Sequence, residues 1–239
     1  MKTILHTANS RGHANHGWLD SRHTFSFADY FNAERIHFGA LRVLNDDTVA
    51  PSMGFGTHPH NNMEIISIPL EGDLEHKDSM GTISVIQQGD IQVMSAGTGV
   101  THSEKNRNND QEVKFLQIWV IPNKQNVTPR YNQISIANLI KENELTQILS
   151  PNEHDQGVWI QQEAWFSMGS FSKHTHTQYH LNGNNHGVYA FVLKGEITIE
   201  DQQLNTRDGY ALWEINEINI SANEGSQLLL MEVPMIELG

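Results

Sequence analysis

Leu70-Glu71-Gly72-Asp73-Leu74 returns 123 residues later as Leu193-Lys194-Gly195-Glu196-Ile197. Each copy runs an apolar segment into a Gly-containing turn and out again, the mark of a β-hairpin. Downstream, Gly89-Asp90-Ile91-Gln92-Val93-Met94 resembles Gly209-Tyr210-Ala211-Leu212-Trp213 at an offset of 120. Two turn-plus-strand matches at nearly one offset read as an internal duplication. Around them lie short Ile- and Val-rich runs: Ile65 to Leu70, Ile83 to Ile86, Ile91 to Met94, Phe115 to Ile121, Val188 to Leu193 and Glu196 to Ile199. Gly, Asn and Asp clusters separate them, so the spacing predicts an all-β sandwich or barrel in two units. Only Ile136 to Leu149 has helical spacing, with apolar residues at Ile136, Leu139, Ile140, Leu145 and Ile148. Polar sequence brackets that segment, which places the junction there and divides the chain into residues 1–133 and 134–239.

The 239 residues are about 1.6 times the common domain size, which suits one large or two small domains. With 38% hydrophobic residues the chain can build a core. A formal charge of −13 argues against non-specific binding to nucleic acid or an anionic membrane and leaves a protein partner open. There are no cysteines, which excludes disulfides, thiolate nucleophiles and cysteine-type metal sites. The first residues hold no apolar run of signal-peptide length, and Glu232 and Pro234 interrupt the apolar stretch from Leu228 to Ile236. The expectation is a cytoplasmic protein. Fourteen histidines, against fifteen Lys plus Arg, direct attention to metal binding.

Gly56-Thr57-His58-Pro59-His60-Asn61-Asn62-Met63-Glu64 sits in the first copy. On a strand, His58 and His60 point to one face, and Glu64 joins them if the strand continues. Further on, Gly97-Thr98-Gly99-Val100-Thr101-His102-Ser103-Glu104 puts His102 and Glu104 on one face by the same rule. Neighbouring strands would combine these into three imidazoles and one or two carboxylates, a donor set for a first-row divalent metal. His174, His176 and His180 have same-face spacing too, but their polar surroundings indicate an exposed edge. His76 reads either as a neighbour of the metal pocket or as a turn cap, and His13, His16 and His23 as residues that shape the domain.

The pattern Gly-x-His-x-His-x3-Glu, with Gly89 and His102-x3-Asn106, resembles the two metal-binding motifs of the cupin superfamily. Thr24-Phe25-Ser26-Phe27-Ala28-Asp29-Tyr30, His76-x-Asp78-Ser79-x-Gly81 and Ser95-Ala96-Gly97-Thr98-Gly99-x2-His102-Ser103-Glu104 narrow the likeness to the pirin family, in particular its bacterial quercetin 2,3-dioxygenase-like members. The matching motifs run from about residue 11 to 131. The resemblance implies a bicupin, two stacked cupin β-barrels with few short helices. The N-terminal barrel would hold one metal and the C-terminal one none. Shifting His58, His60 and His102 by the repeat offsets lands on Leu181, Gly183 and Ala222, which are not ligands. A generic cupin would take Glu64 as fourth ligand, whereas the pirin pattern takes Glu104; spacing leaves both open. The resemblance therefore gives His58, His60, His102 and Glu104 as the metal ligands, with Glu64 orienting one of them.

The implied cofactor is one divalent transition metal ion, iron first, with copper, nickel, manganese or zinc as alternatives. The implied activity is metal-dependent cleavage of a flavonol such as quercetin by dioxygen, with release of carbon monoxide and Glu104 as general base. Phe25, Phe27, Phe55 and Trp119 would wall a flat substrate. The alternatives are a redox-sensing interaction protein of the pirin kind, with a protein partner, and a metal isomerase or hydrolase.

Overall fold

The structure is a computed structural model and describes residues 1–236. Apart from a 3-10 turn at Ala8–Ser10, the regular structure among the described residues is entirely β. The first unit pairs two sheets. Its seven-stranded sheet runs Arg130–Ser135, Asp90–Ser95, Glu64–Glu71, Val113–Val120, Leu41–Val49, Leu19–His23 and Gly12–Asn15 in spatial order; its four-stranded sheet runs Gly54–His60, Val100–Asn106, Leu74–Asp78 and Ile83–Ile86. The second unit repeats the plan. Seven strands run Lys2–His6, Gly209–Trp213, His186–Lys194, Ser226–Pro234, Trp165–Phe171, Leu145–Ser150 and Val158–Trp159, and four run Thr175–His180, Glu217–Ala222, Glu196–Ile199 and Gln202–Asn205. Among the described residues no helix is long and apolar enough to cross a membrane.

The duplication is visible in backbone detail. Gly72 and Gly195 both take left-handed φ, at 74° and 80°, in the matching hairpin turns. One residue before each turn's end the ladder skips: Glu71 pairs Lys114 but Pro69 pairs Phe115, and Lys194 pairs Gln227 but Val192 pairs Leu228. The same bulge recurs in the same place. The second match shifts by two residues, because the turn is organised by its aspartate. Gln87 N donates to Asp90 Oδ2 (3.0 Å) and Asn205 N to Asp208 Oδ2 (2.9 Å), so Asp208 rather than Tyr210 is the counterpart of Asp90.

The two units share their largest core. Phe25, Phe38, Leu44, Ile66 and Ile118 from the first pack with Tyr189, Phe191, Leu229 and Met231 from the second, all nearly inaccessible to water. The N-terminal strand binds them further: Lys2–His6 lies on the edge of the second unit's sheet before the chain enters the first. Between the units, Asp46 Oδ2 receives Arg11 Nη1 at 3.3 Å and Arg207 Nε at 3.1 Å. Its side chain is only 15% exposed, so this ion pair is partly screened from water. Asp46→Ala strands two guanidinium groups and is expected to cost about 2–3 kcal/mol in urea unfolding.

Ile136 to Leu149 is not a helix. Ile140 N bonds back to Ile136 O for a single turn, and Asn143 then takes a left-handed φ of 63°. Leu145–Ser150 continues as a strand paired with Trp165–Phe171. The helical spacing of the apolar residues instead serves two surfaces: Ile136, Leu139 and Ile140 cap the core between the units, while Ile148 and Leu149 enter it from a sheet. Tertiary packing has overridden local pattern here.

Candidate metal centre

Gly54–His60 pairs antiparallel with Val100–Asn106 so that His58 faces His102 directly, and Leu74–Asp78 pairs on the other side with His76 facing Glu104. Alternation on these three adjacent strands turns His58, His60, His76, His102 and Glu104 into the first unit. The rings of His58, His60 and His102 converge, with centroids 4.8, 4.5 and 4.9 Å apart. One nitrogen from each lies within 4.8 Å of the others. His76, His102 and Glu104 form a second such group, so His102 is common to both.

The donors suit a cation. His58 Nδ1 lies 2.8 Å from Gly56 O, a bond that places the proton on Nδ1 and leaves Nε2 a lone pair. His60 Nε2 and both ring nitrogens of His102 are buried without a hydrogen-bond partner. Polar atoms left so are costly, and three within one cluster are what an ion would satisfy. Burial, with the neighbouring imidazoles, holds His60 down to about 4 and His102 to about 2, so both rings are neutral, the form that ligates. Glu104 is fully enclosed: Ser67 Oγ donates to Oε1 (3.0 Å) and Gln117 Nε2 to Oε2 (2.6 Å). Burial pushes its carboxyl up to about 7 against these two hydrogen bonds.

Glu64 lies elsewhere. The strand ends at His60, Asn62 takes a left-handed φ of 45°, and Glu64 opens a strand of the other sheet. Its carboxylate accepts from Ser95 Oγ at 2.7 Å and also meets the Gln161 backbone of the second unit, so it joins neither histidine group. His76 is the residue that spacing undervalued. It is 1% exposed, with Nε2 3.1 Å from Asp78 Oδ2, Nδ1 unpartnered, and its ring 5.3 Å from that of His102. The His76-x-Asp78 spacing, same-face on a strand, was the available signal. The rings of His174 and His176, at the start of the exposed strand Thr175–His180, have centroids 4.6 Å apart, and His180 pairs with Glu217, as an edge reading expects.

A cavity of about 410 Å³ opens beside this centre, within the size range of small-molecule sites. His58 and Glu104 border it, and Phe27, Phe55 and Trp119 wall it; Phe25 instead packs against Tyr189 in the core between the units. His13, His16 and His23 all border the cavity.

The second unit has kept the ladder and changed the side chains. Matching Gly72 to Gly195 puts Ile199 where His76 stands, and Ile199 pairs Ile220 as His76 pairs Glu104. Two residues earlier on that strand, Ile218 pairs Tyr179 as His102 pairs His58. Ile199, Ile218 and Ile220 pack with Val188, Leu212 and Leu230 into a filled apolar interior. The ladder thus corrects the counterparts of His58 and His102 from Leu181 and Ala222 to Tyr179 and Ile218.

Comparison with known proteins agrees with this architecture. Residues 5–120 match the family model described as Pirin, and residues 147–233 the one described as Quercetinase C-terminal cupin domain. The chain is 40% identical over 232 residues to a protein of Escherichia coli K12 named quercetin 2,3-dioxygenase, covering 97% of this chain and 99% of that one. It is 32% identical to a pirin-like protein of Caulobacter vibrioides, over 92% of this chain and 95% of that one. The crystal structure of bacterial pirin YhhW from Escherichia coli in complex with nickel(II) superposes with a TM-score of 0.93 at 39% identity, covering 98% of this chain and 100% of that one. The cavity, the histidine centre on one unit and the filled interior of the other are therefore those of a two-cupin protein, and the chain belongs to the pirin family.

Proposed function

We propose that this protein is a metal-dependent dioxygenase that opens a flavonol such as quercetin with dioxygen and releases carbon monoxide. The observation that carries this reading is a cluster of unpartnered imidazole nitrogens grouped with His58 and Glu104, which themselves border a cavity with flat aromatic walls. His58, His60, His102 and Glu104 would hold one divalent ion, with iron the first candidate. The nickel(II) complex of the related YhhW supports a transition metal at such a centre. A bound ion supplies Lewis-acid stabilisation of the flavonol anion and a meeting point for dioxygen.

The chain's own residues do the rest. Phe27, Phe55 and Trp119 bury the ring system and exclude water from it. Glu104, at the cavity border, takes the proton of the 3-hydroxyl, while Ser67 and Gln117 hold its carboxylate in place. Both oxygen atoms of dioxygen enter the product and one ring carbon leaves as carbon monoxide. A cytoplasmic setting accompanies this reading.

The test is anaerobic reconstitution with Fe(II), Cu(II), Ni(II) or Mn(II), then exposure to quercetin and air. The expected result is metal-dependent loss of the flavonol band with carbon monoxide release. Stoichiometric metal binding without turnover would overturn the dioxygenase reading in favour of a metal-responsive interaction protein. Gln117→Leu, which removes one of the two donors to Glu104, is expected to lower metal affinity about 10–100-fold, measured by titration calorimetry.

A further inference from the structure

The cavity wall on the seven-stranded sheet holds polar atoms that flavonol cleavage at the metal leaves unused. Leu41–Val49 alternates sharply. Leu44 turns to the core between the units and Asp46 to Arg11 and Arg207, whereas Asn45 and Asp47 turn inward and line the cavity. Both are nearly sealed from bulk water, at 2% and 4% exposure. Asp47 Oδ1 accepts from Ser21 Oγ, and Asn45 Oδ1 lies 3.0 Å from His23 Nδ1. Neither bond uses Asp47 Oδ2 or Asn45 Nδ2, the remaining polar atoms of two residues that line the cavity.

Burial, opposed by the Ser21 hydrogen bond and reinforced by Asp46, Glu104 and Asp20, pushes the Asp47 carboxyl up to about 7. Near neutrality it can both donate and accept. The duplicate unit serves as an internal control. Asp47 pairs Phe115 and Asn45 pairs Gln117; through the shared bulge their counterparts are Gly169, which pairs Leu228, and Ser167, which pairs Leu230. There the Phe171 ring fills the space beside Gly169. The same strand folds without the amide and the carboxyl, so the fold does not demand them.

We propose that Asp47, with Asn45 beside it, is a second anchor of the cavity that hydrogen-bonds a ring hydroxyl of a planar polyphenol and so sets which flavonols fit. The inference rests on the flavonol reading and deepens it: the histidine centre receives the reacting end, and the Asn45–Asp47 wall recognises hydroxyls elsewhere on the rings. Asp47 is in this sense a positioning residue, acting on affinity for hydroxylated ligands rather than on the metal.

The experiment is anaerobic equilibrium dialysis of nickel-loaded protein against quercetin and against 3-hydroxyflavone, which lacks every hydroxyl but the one at the reacting position. Wild type is expected to bind quercetin more tightly. Asp47→Ala is expected to weaken quercetin about tenfold, the value of one hydrogen bond, while 3-hydroxyflavone stays within about twofold. Asp47→Asn, which keeps hydrogen-bonding atoms in place, should recover most of the loss. If the alanine variant fails to fold, Asp47→Val, which also lacks hydrogen-bonding atoms, carries the same comparison. Equal weakening of both ligands, or no change in either, overturns the anchor and leaves the flavonol reading standing. Binding of neither ligand by wild type overturns the flavonol reading itself, and the anchor with it.

Discussion

His58→Ala combined with His60→Ala is expected to abolish stoichiometric binding of divalent transition metals at the proposed centre, with affinity falling at least about a thousandfold, and with it the metal-dependent flavonol turnover of the proposed function. Two of the three converging imidazoles go, and His102 with Glu104 alone cannot complete a four-donor set. The fold survives, because both histidines lie on a half-exposed strand rather than in the apolar core. The check is metal content after dialysis alongside the thermal midpoint of the metal-free protein. Lost metal with an unchanged midpoint is the expected pair of results. Retained metal would move the centre to the His76, His102 and Glu104 group, the second arrangement these strands provide.

Glu232→Gln destabilises the protein by about 2–4 kcal/mol near neutral pH while leaving metal binding intact. Glu232 is fully buried in the second unit and gathers a set of donors: Tyr179 Oη at 2.7 Å, Asn182 N at 2.8 Å, Asn182 Nδ2 at 2.9 Å, Gly183 N at 2.9 Å and His186 Nδ1 at 2.8 Å. Burial alone would raise its carboxyl. The hydrogen bonds from His186, Asn182 and Tyr179 outweigh that and hold it below the ordinary glutamate value. The folded state therefore keeps the carboxylate where the unfolded chain has begun to take up the proton. Its stabilisation is present above the unfolded pKa and is lost as the pH falls through the lower folded one. Urea unfolding of wild type and variant across acid pH should show the gap at its widest near neutrality and narrowing on acidification. A gap that widens on acidification would contradict this assignment.

These two carboxylates and the histidines around them divide cleanly by how they could be read. His58, His60 and His102 were legible because strand alternation fixes which residues share a face, and because a His-x-His after a glycine needs no distant partner to be recognised. The all-β class and the duplication were legible for the same reason, since hairpin turns and short β-branched runs are local signals. Ile136 to Leu149 misled because its apolar residues are shared between a turn against the core and a strand in a sheet.

The sequence by itself determined that the chain would be β-rich and duplicated, and that three histidines of one copy could meet. Only the tertiary structure decided which carboxylates meet what. Glu64 was separated from the histidines by one left-handed residue, and His76 was brought beside Glu104 by the pairing of strands nearly thirty residues apart in the chain. Glu232, an interruption of an apolar run in the sequence, became the buried centre of five donors, and Asp47 turned from an ordinary acidic residue into a wall of the cavity. The physical reason is that the state of a charged side chain depends on desolvation and on partners supplied by other strands. Neither is encoded within the few residues on either side of it.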